Sequence, residues 1–347
     1  MHHPGGLRPD EWRNRDHALD PVDRHGVSHP TLADVTAAAE RIAGVARVTP
    51  LAMTPSLSKR GGPVRLKAEC LQETGSFKLR GAANALLSRD PESVSAGVVA
   101  VSSGNHGRAV AHVARLLGVP ATVCVSARVP ANKVEAIEGL GARVVVGGPD
   151  QDDAEAAARR LVEEGLAFIH PFDDPTVIAG QGTIGIEILD AFAECQAIVV
   201  PLSGGGLISG IAVAAKGISP GITVIGVSQE RGPAMHRSLA AGRLVGVVEE
   251  DTLADALAGG LGDENHHTFE MCRTLVDDTV LVSELEIATA MRFLHDEHGW
   301  RVEGGGAVGV AAVLAGKVAT DRPTAVVVSG GNVGDEVFKR ALDAARR

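Results

Sequence analysis

The chain of 347 residues carries 43 acidic against 33 basic side chains, a formal charge of −10, with Lys and Arg dispersed, which makes nucleic acid and anionic membrane poor partners. Hydrophobic residues make up 45% and aromatics only 3%, so the core must be Val, Ala, Leu and Ile, the composition of buried parallel strands flanked by helices. No apolar run reaches bilayer length, the first thirty residues lack a signal-peptide core, and Cys70, Cys124, Cys195 and Cys272 are widely spaced; a compact cytoplasmic enzyme with buried thiols is expected, without zinc site or disulfide scaffold.

Residues 1–30 show no periodicity and read as a flexible arm. A helical pattern opens after Thr31 and runs to Ile42, Thr49-Pro50-Leu51 breaks it, and a strand is expected over 64–67. Ser76-Phe77-Lys78-Leu79-Arg80-Gly81 then opens a helix. Apolar runs at 97–101, 121–125, 143–146 and 167–169 alternate with helical segments at 105–117, 131–140 and 152–164. The alternation resumes with a helix over 180–192, a strand over 197–201, a helix over 207–216, a strand over 222–228 and a last strand over 324–328. Such order means βαβ units, an α/β chain with parallel sheet, and a ligand site at the C-terminal ends of the strands between two lobes.

Four small-residue turns punctuate this pattern: the Lys78 segment, Ser102-Ser103-Gly104-Asn105-His106-Gly107, Ser203-Gly204-Gly205-Gly206-Leu207 and Ser329-Gly330-Gly331-Asn332. An amine that forms a Schiff base needs a carbonyl partner, and a glycine turn entering a helix offers converging N–H groups to a phosphate. Pyridoxal 5′-phosphate carries both groups. Ser203 to Leu207 lacks the G-x-G-x-x-G spacing of a dinucleotide site, which leaves phosphate anchoring as its reading. A lysine aimed into a pocket loses hydration, and its lowered pKa frees a nucleophilic amine.

In order and wording the motifs resemble the fold type II pyridoxal-phosphate enzymes, in the threonine/serine dehydratase and serine racemase branch, across residues 35–340. The resemblance implies a tryptophan-synthase-β-like architecture of two open, twisted, mostly parallel sheets with flanking helices. It also implies a small domain over 96–175, a large domain over 31–95 plus 176–347, and no C-terminal regulatory domain. By resemblance Lys78, next to Phe77, is the Schiff-base lysine, and Asn105 bonds the cofactor's phenolic oxygen. Ser203, Gly204, Gly205, Gly206 and Leu207 hold the phosphate, and Ser329 bonds the pyridine nitrogen.

Ser102, Ser103, Gly104, Asn105 and His106 form the expected substrate-carboxylate cradle, with His106 a structural neighbour rather than a base. Ser103 matches the serine that exchanges a proton on the face opposite the lysine in serine racemase, a second catalytic residue that permits racemisation. A neutral hydroxyl at Ser329 makes a weaker electron sink than an aspartate would, which favours β-elimination. Glu303 precedes Gly304-Gly305-Gly306 where relatives have Glu-Pro-x-Gly-Ala, so a loop carboxylate facing solvent competes with a site role. Glu230 and Ala234 align with a divalent-cation site of serine racemase, but His236 replaces its aspartate; His266-His267 near Glu264 reads as a solvated turn. No metal is expected.

The implied activity is elimination of water from L-threonine or L-serine to give a 2-oxo acid and ammonia, by a homodimer or homotetramer. Competing readings are serine racemisation and, from Gln181-Gly182-Thr183-Ile184-Gly185, the 230–236 segment and Gly259-Gly260-Leu261-Gly262, hydroxyectoine utilisation. Cysteine-synthase-type β-replacement is opposed by Leu79, where those relatives are acidic, and a non-catalytic cofactor-binding protein is the reading from another class.

Overall fold

The computed structural model describes residues 26–58, 61–102, 104–129, 131–262 and 264–346. In chain order the strands are β1 Leu51–Met53, β2 Val64–Lys67, β3 Val98–Val101, β4 Ala121–Ser126, β5 Arg143–Gly148, β6 Ala167–Phe168, β7 Ala197–Pro201, β8 Thr223–Gln229, β9 Asp278–Val282 and β10 Thr324–Val327. The helices are α1 Leu32–Arg41, α2 Lys78–Leu87, α3 Asn105–Leu117, α4 Ala131–Glu138, α5 Gln151–Glu163, α6 Pro175–Ala191, α7 Gly206–Ile218, α8 Ala234–Ala241, α9 Thr268–Leu275, α10 Glu284–His298, α11 Gly304–Leu314 and α12 Asp335–Ala344.

Two sheets organise these elements. The larger has the order β1-β2-β10-β7-β8-β9 and the smaller β5-β4-β3-β6. Every neighbouring pair is parallel except β1 with β2. Strands β3, β7 and β10 are buried along their whole length, as runs of Val, Ala and Ile covered by helices on both faces must be. Helices α6 and α7 pack on the larger sheet with Ile178, Ile184, Ile188, Ile208 and Ile211 inside. Helices α2 and α3 cover the smaller one through Leu79, Ala82, Leu86, Val110 and Val113.

Glycines let three helices approach closely. A Cβ on Gly180 would lie 2.6 Å from the Arg80 carbonyl, and one on Gly182 would lie 2.7 Å from the Gly210 carbonyl. These glycines lie in the middle of α6, which is why its pattern reads as starting only at 180. The helix begins at Pro175, with the Asp174 side chain accepting from the amides of Thr176 and Val177. Strand β5 also runs two residues beyond its expected end, through Gly147 and Gly148, which lie against Asp153 and Ala154 of α5.

All four cysteines are buried. Among the described residues no helix is long and apolar enough to cross a membrane. Most of the expected N-terminal arm lies outside the described residues, but His29 is buried, with its ring edge-on to His267 at 5.4 Å.

Candidate active site

Lys78 is the first residue of α2, and its surroundings are set by the chain on either side. The Phe77 amide donates to the Ser329 carbonyl at 3.0 Å, and Ser76 pairs with Gly330, so the segment before the lysine is tied to the end of β10. The partly buried Lys78 amine donates to the Pro171 carbonyl and lies 5.2 Å from the centre of the Phe77 ring. Desolvation pushes its pKa down to about 8. Such an amine spends a good fraction of its time neutral near physiological pH, which is the state that attacks a carbonyl or takes a proton.

The glycine turn lies between β7 and α7. Gly205 takes φ +90°, and a Cβ there would sit 2.9 Å from the Met235 methyl and 3.0 Å from the Cys272 sulfur, so glycine is required twice over. Gly204 and Gly206 pack against Phe172, the residue after the Lys78 acceptor, which brings the lysine and the turn together. Among the described residues the amides of Gly204, Gly205, Gly206 and Leu207 have no acceptor. Four unspent donors at a helix N-terminus are a cradle for a phosphate-sized anion. The Ser203 hydroxyl donates to the Leu257 carbonyl at 3.0 Å.

Asn105 opens α3 after β3. Its Nδ2 donates to Glu303 Oε1 at 2.6 Å, and its Oδ1 accepts from Asn332 Nδ2 at 2.7 Å. Asn332 is held by the Thr74 carbonyl at 2.8 Å and by Arg108 Nη1 at 3.3 Å, so both ends of the Asn105 amide are oriented. The Ser102 hydroxyl accepts from the Gly104 amide at 3.2 Å, and Gly107 has no room for a side chain beside the Ser102 carbonyl. Ser103, the expected second catalytic residue, lies outside the described residues. Ser329 is buried at the end of β10.

Of the two readings open for Glu303, a loop carboxylate facing solvent is excluded, for it is only 5% exposed. Its amide donates to the Gly330 carbonyl at 3.1 Å, and the triglycine after it lets the segment 252–257 lie directly on α11; a side chain at Gly304 would run into the Leu253 carbonyl. Burial above all, then the Asp255 charge, pushes the Glu303 carboxyl up to about 7, against the Asn105 hydrogen bond and the more distant Lys133 and Arg108. Asp255 in turn pairs with Lys133 of α4 at 3.1 Å, a link between the elements of the two sheets.

Glu230 lies 3.8 Å from Lys317, Ala234 is a buried residue opening α8, and His236 Nδ1 lies 2.8 Å from the Thr279 hydroxyl. His266 is 3.6 Å from Glu264 in an exposed pair, whereas His267 packs on His29. The described residues contain no group of three His, Cys, Asp or Glu that could hold a metal ion.

Several residues that shape this site escape the motifs. Asp173 accepts from the amides of His266, His267 and Thr268 at 2.6, 2.9 and 2.8 Å, which fixes the loop after Phe172 to the start of α9. Pro171 acts through its carbonyl, which no side-chain identity signals. Asn332, by contrast, belongs to the Ser329-Gly330-Gly331-Asn332 turn, though nothing in that turn signals that its side chain orients Asn105.

A desolvated amine beside an anion cradle suits a group that bears both a carbonyl and a phosphate, and comparisons agree. The family model described as pyridoxal-phosphate dependent enzyme matches residues 42–330. The chain is 43% identical to the L-threonine ammonia-lyase of Thermotoga maritima, over 90% of this chain and 78% of that protein. It is 38% identical to the serine racemase of Arabidopsis thaliana, over 87% of this chain and 93% of that protein. Among solved structures maize serine racemase matches with a TM-score of 0.84 and 35% identity, covering 90% of this chain and 97% of that one. The chain belongs to the pyridoxal-phosphate-dependent enzyme family.

Proposed function

We propose that this protein is an ammonia-lyase that eliminates water from a β-hydroxy amino acid, L-threonine or L-serine, and yields a 2-oxo acid and ammonia. The observation that carries the reading is the desolvated Lys78 amine beside the amides of Gly204 to Leu207, which have no acceptor among the described residues. The threonine ammonia-lyase named above, at 43% identity, supports the substrate class.

When bound, pyridoxal phosphate supplies the electron sink that acidifies the substrate's Cα hydrogen. Lys78 would hold its carbonyl end, with Phe77 alongside, and the amides of the Ser203–Leu207 turn would hold its phosphate. With that group in place, the neutral Lys78 amine would take the Cα proton of the substrate, a task matched to a pKa near 8. The first-turn amides around Ser102, Gly104, Asn105 and His106 bind the substrate carboxylate. Asn105, held between Glu303 and Asn332, would present a fixed amide to the cofactor, and the buried Ser329 would offer it a neutral hydroxyl. By its match to the proton-exchanging serine of serine racemase, Ser103 is the residue to which a racemase side activity would be assigned. We place the reaction in the cytoplasm and the chain in a homo-oligomer.

The test is release of 2-oxo acid and ammonia from the purified yellow protein with L-threonine, L-serine and hydroxyectoine in parallel, against Lys78→Ala. Turnover of threonine or serine should fall by at least roughly 1,000-fold in the variant. Turnover of hydroxyectoine alone, or none with the cofactor bound, would overturn the assignment.

A further inference from the structure

His106 is the second residue of α3 and only 2% exposed, and its two ring nitrogens are not equivalent. Nε2 lies 2.8 Å from the Ile169 carbonyl. A carbonyl oxygen only accepts, so Nε2 carries the hydrogen. Burial first, and then the charge of Lys78, push the imidazole pKa down to about 3, so the ring is neutral and Nδ1 bears a lone pair. Among the described residues no donor reaches that buried nitrogen. An acceptor withheld from water in this way calls for a donor that arrives with the chemistry.

The segment that fixes the ring also receives the lysine. Ile169 takes the His106 hydrogen, and Pro171, two residues on, takes a hydrogen from the Lys78 amine. The neighbouring imidazole of His170 offers no such acceptor at Nδ1, because the amides of Phe172 and Asp173 already donate to it at 3.2 and 2.7 Å. Phe77 contributes only its ring face. The charged groups next along this segment, Asp173 and Asp174, are spent on the amides that open α9 and α6.

We propose that His106 Nδ1 and the Pro171 carbonyl form a two-acceptor receptor for the Lys78 ammonium, so that His106 is a positioning residue acting through the lysine. The inference rests on the reading of Lys78 as the base. The proton balance closes without His106 exchanging a proton. The neutral lysine amine takes the Cα proton on its lone pair, and of the three hydrogens of the resulting ammonium one goes to Pro171, one to Nδ1, and one is available to pass on. The imidazole keeps its tautomer throughout, and its depressed basicity stops it from capturing the proton itself.

Two measurements on the full-length protein test this without turnover. The ¹⁵N shifts of His106 should show a protonated Nε2 and a bare Nδ1; a protonated Nδ1 overturns the proposal. With the cofactor removed, the pH dependence of Lys78 modification by an amine-selective reagent gives the reference midpoint of the parent, expected below the ordinary lysine value because the amine is desolvated. In His106→Leu the midpoint should fall by roughly one unit, the worth of one hydrogen bond to the charged form. In His106→Asn, whose amide can donate to Ile169 and offer an oxygen in place of Nδ1, at least half of that shift should be restored. An unchanged midpoint in a folded His106→Leu sinks the idea. So does a pattern in which that variant loses L-serine turnover but keeps β-chloro-L-alanine turnover at an unmoved midpoint, since the acceptor would then serve the substrate hydroxyl. If the midpoint moves as expected while neither threonine nor serine is turned over, the receptor stands and the dehydratase reading fails.

Discussion

Lys78 and Arg80 sit two residues apart on the first turn of α2, and the protein treats their charges in opposite ways. Arg80 is 1% exposed and spends its guanidinium on partners: Glu69 at 2.8 Å from both Nε and Nη2, Glu187 at 2.6 and 2.9 Å, the Thr183 hydroxyl at 3.1 Å and the Arg47 carbonyl at 3.0 Å. Burial opposes its charge, but the Glu69 and Glu187 carboxylates outweigh that and raise its pKa. Lys78 is less covered, yet it is offered a carbonyl instead of a carboxylate, and desolvation wins. A buried charge with matched counter-ions becomes a fixed strut, whereas one without them becomes a base.

The comparison breaks most completely at the strut. Arg80→Leu leaves Glu69, itself fully buried, and Glu187 without their main cation, and should cost about 3–5 kcal/mol in urea denaturation. Arg80→Lys keeps the charge but has no planar fork to serve two carboxylates, so a smaller loss is expected. If Arg80→Leu melts like the parent, the network is not the anchor of α2. Lys67, 1% exposed, shares Glu187 with Arg80 and also donates to the Thr49 carbonyl, so its variants should not add independently to those of Arg80.

Glu303 sharpens the same contrast from the acidic side, since it too is buried without a close cation. Its folded-state pKa, about 7, stands above the ordinary value of 4.5. A raised carboxyl binds its proton more tightly in the folded chain, so its contribution to stability is fully present below about pH 4.5 and is lost as pH rises through about 7. The change across that window should be about 3 kcal/mol. Denaturation of the parent and of Glu303→Gln at pH 5 and pH 8 checks it: the parent should weaken by more than the variant. Equal weakening would assign the slope to other groups.

How much of this was legible in sequence depended on whether the signal was local. Strand β7 falls where a continuous apolar run ending in Pro places it and β2 directly after Gly61-Gly62-Pro63, and Lys78, Asn105 and the 203–207 turn were visible because turn chemistry and catalytic side chains sit in the same few residues. Helix α11 was not read, because Gly304-Gly305-Gly306-Ala307-Val308-Gly309 is apolar on every face and carries no helical period. Glu303 carries no local sign of its burial either. Its burial comes from the segment 252–257, about fifty residues earlier, resting on glycines that read locally as a loop. The Pro171 carbonyl and the Nδ1 of His106 depend on backbone course and tautomer, neither of which a residue letter encodes.

The weakest charged contact at the site gives the smallest effect and the cleanest separation of field from structure. Lys133 and Asp255 pair at 3.1 Å, with side chains 34% and 60% exposed. Lys133→Met or Asp255→Asn should therefore change stability by no more than about 1 kcal/mol, and less at high salt. Both residues nonetheless act on the Glu303 carboxyl, Asp255 raising its pKa and Lys133 lowering it. Removing the anion should shift the Glu303 midpoint down, and removing the cation should shift it up, in a ¹³C-detected titration of the carboxyl. Opposite shifts with near-parental melting mean that the pair tunes Glu303 through its field. Shifts in the same direction would mean instead that either substitution loosens the 252–257 segment and lets water reach the carboxyl.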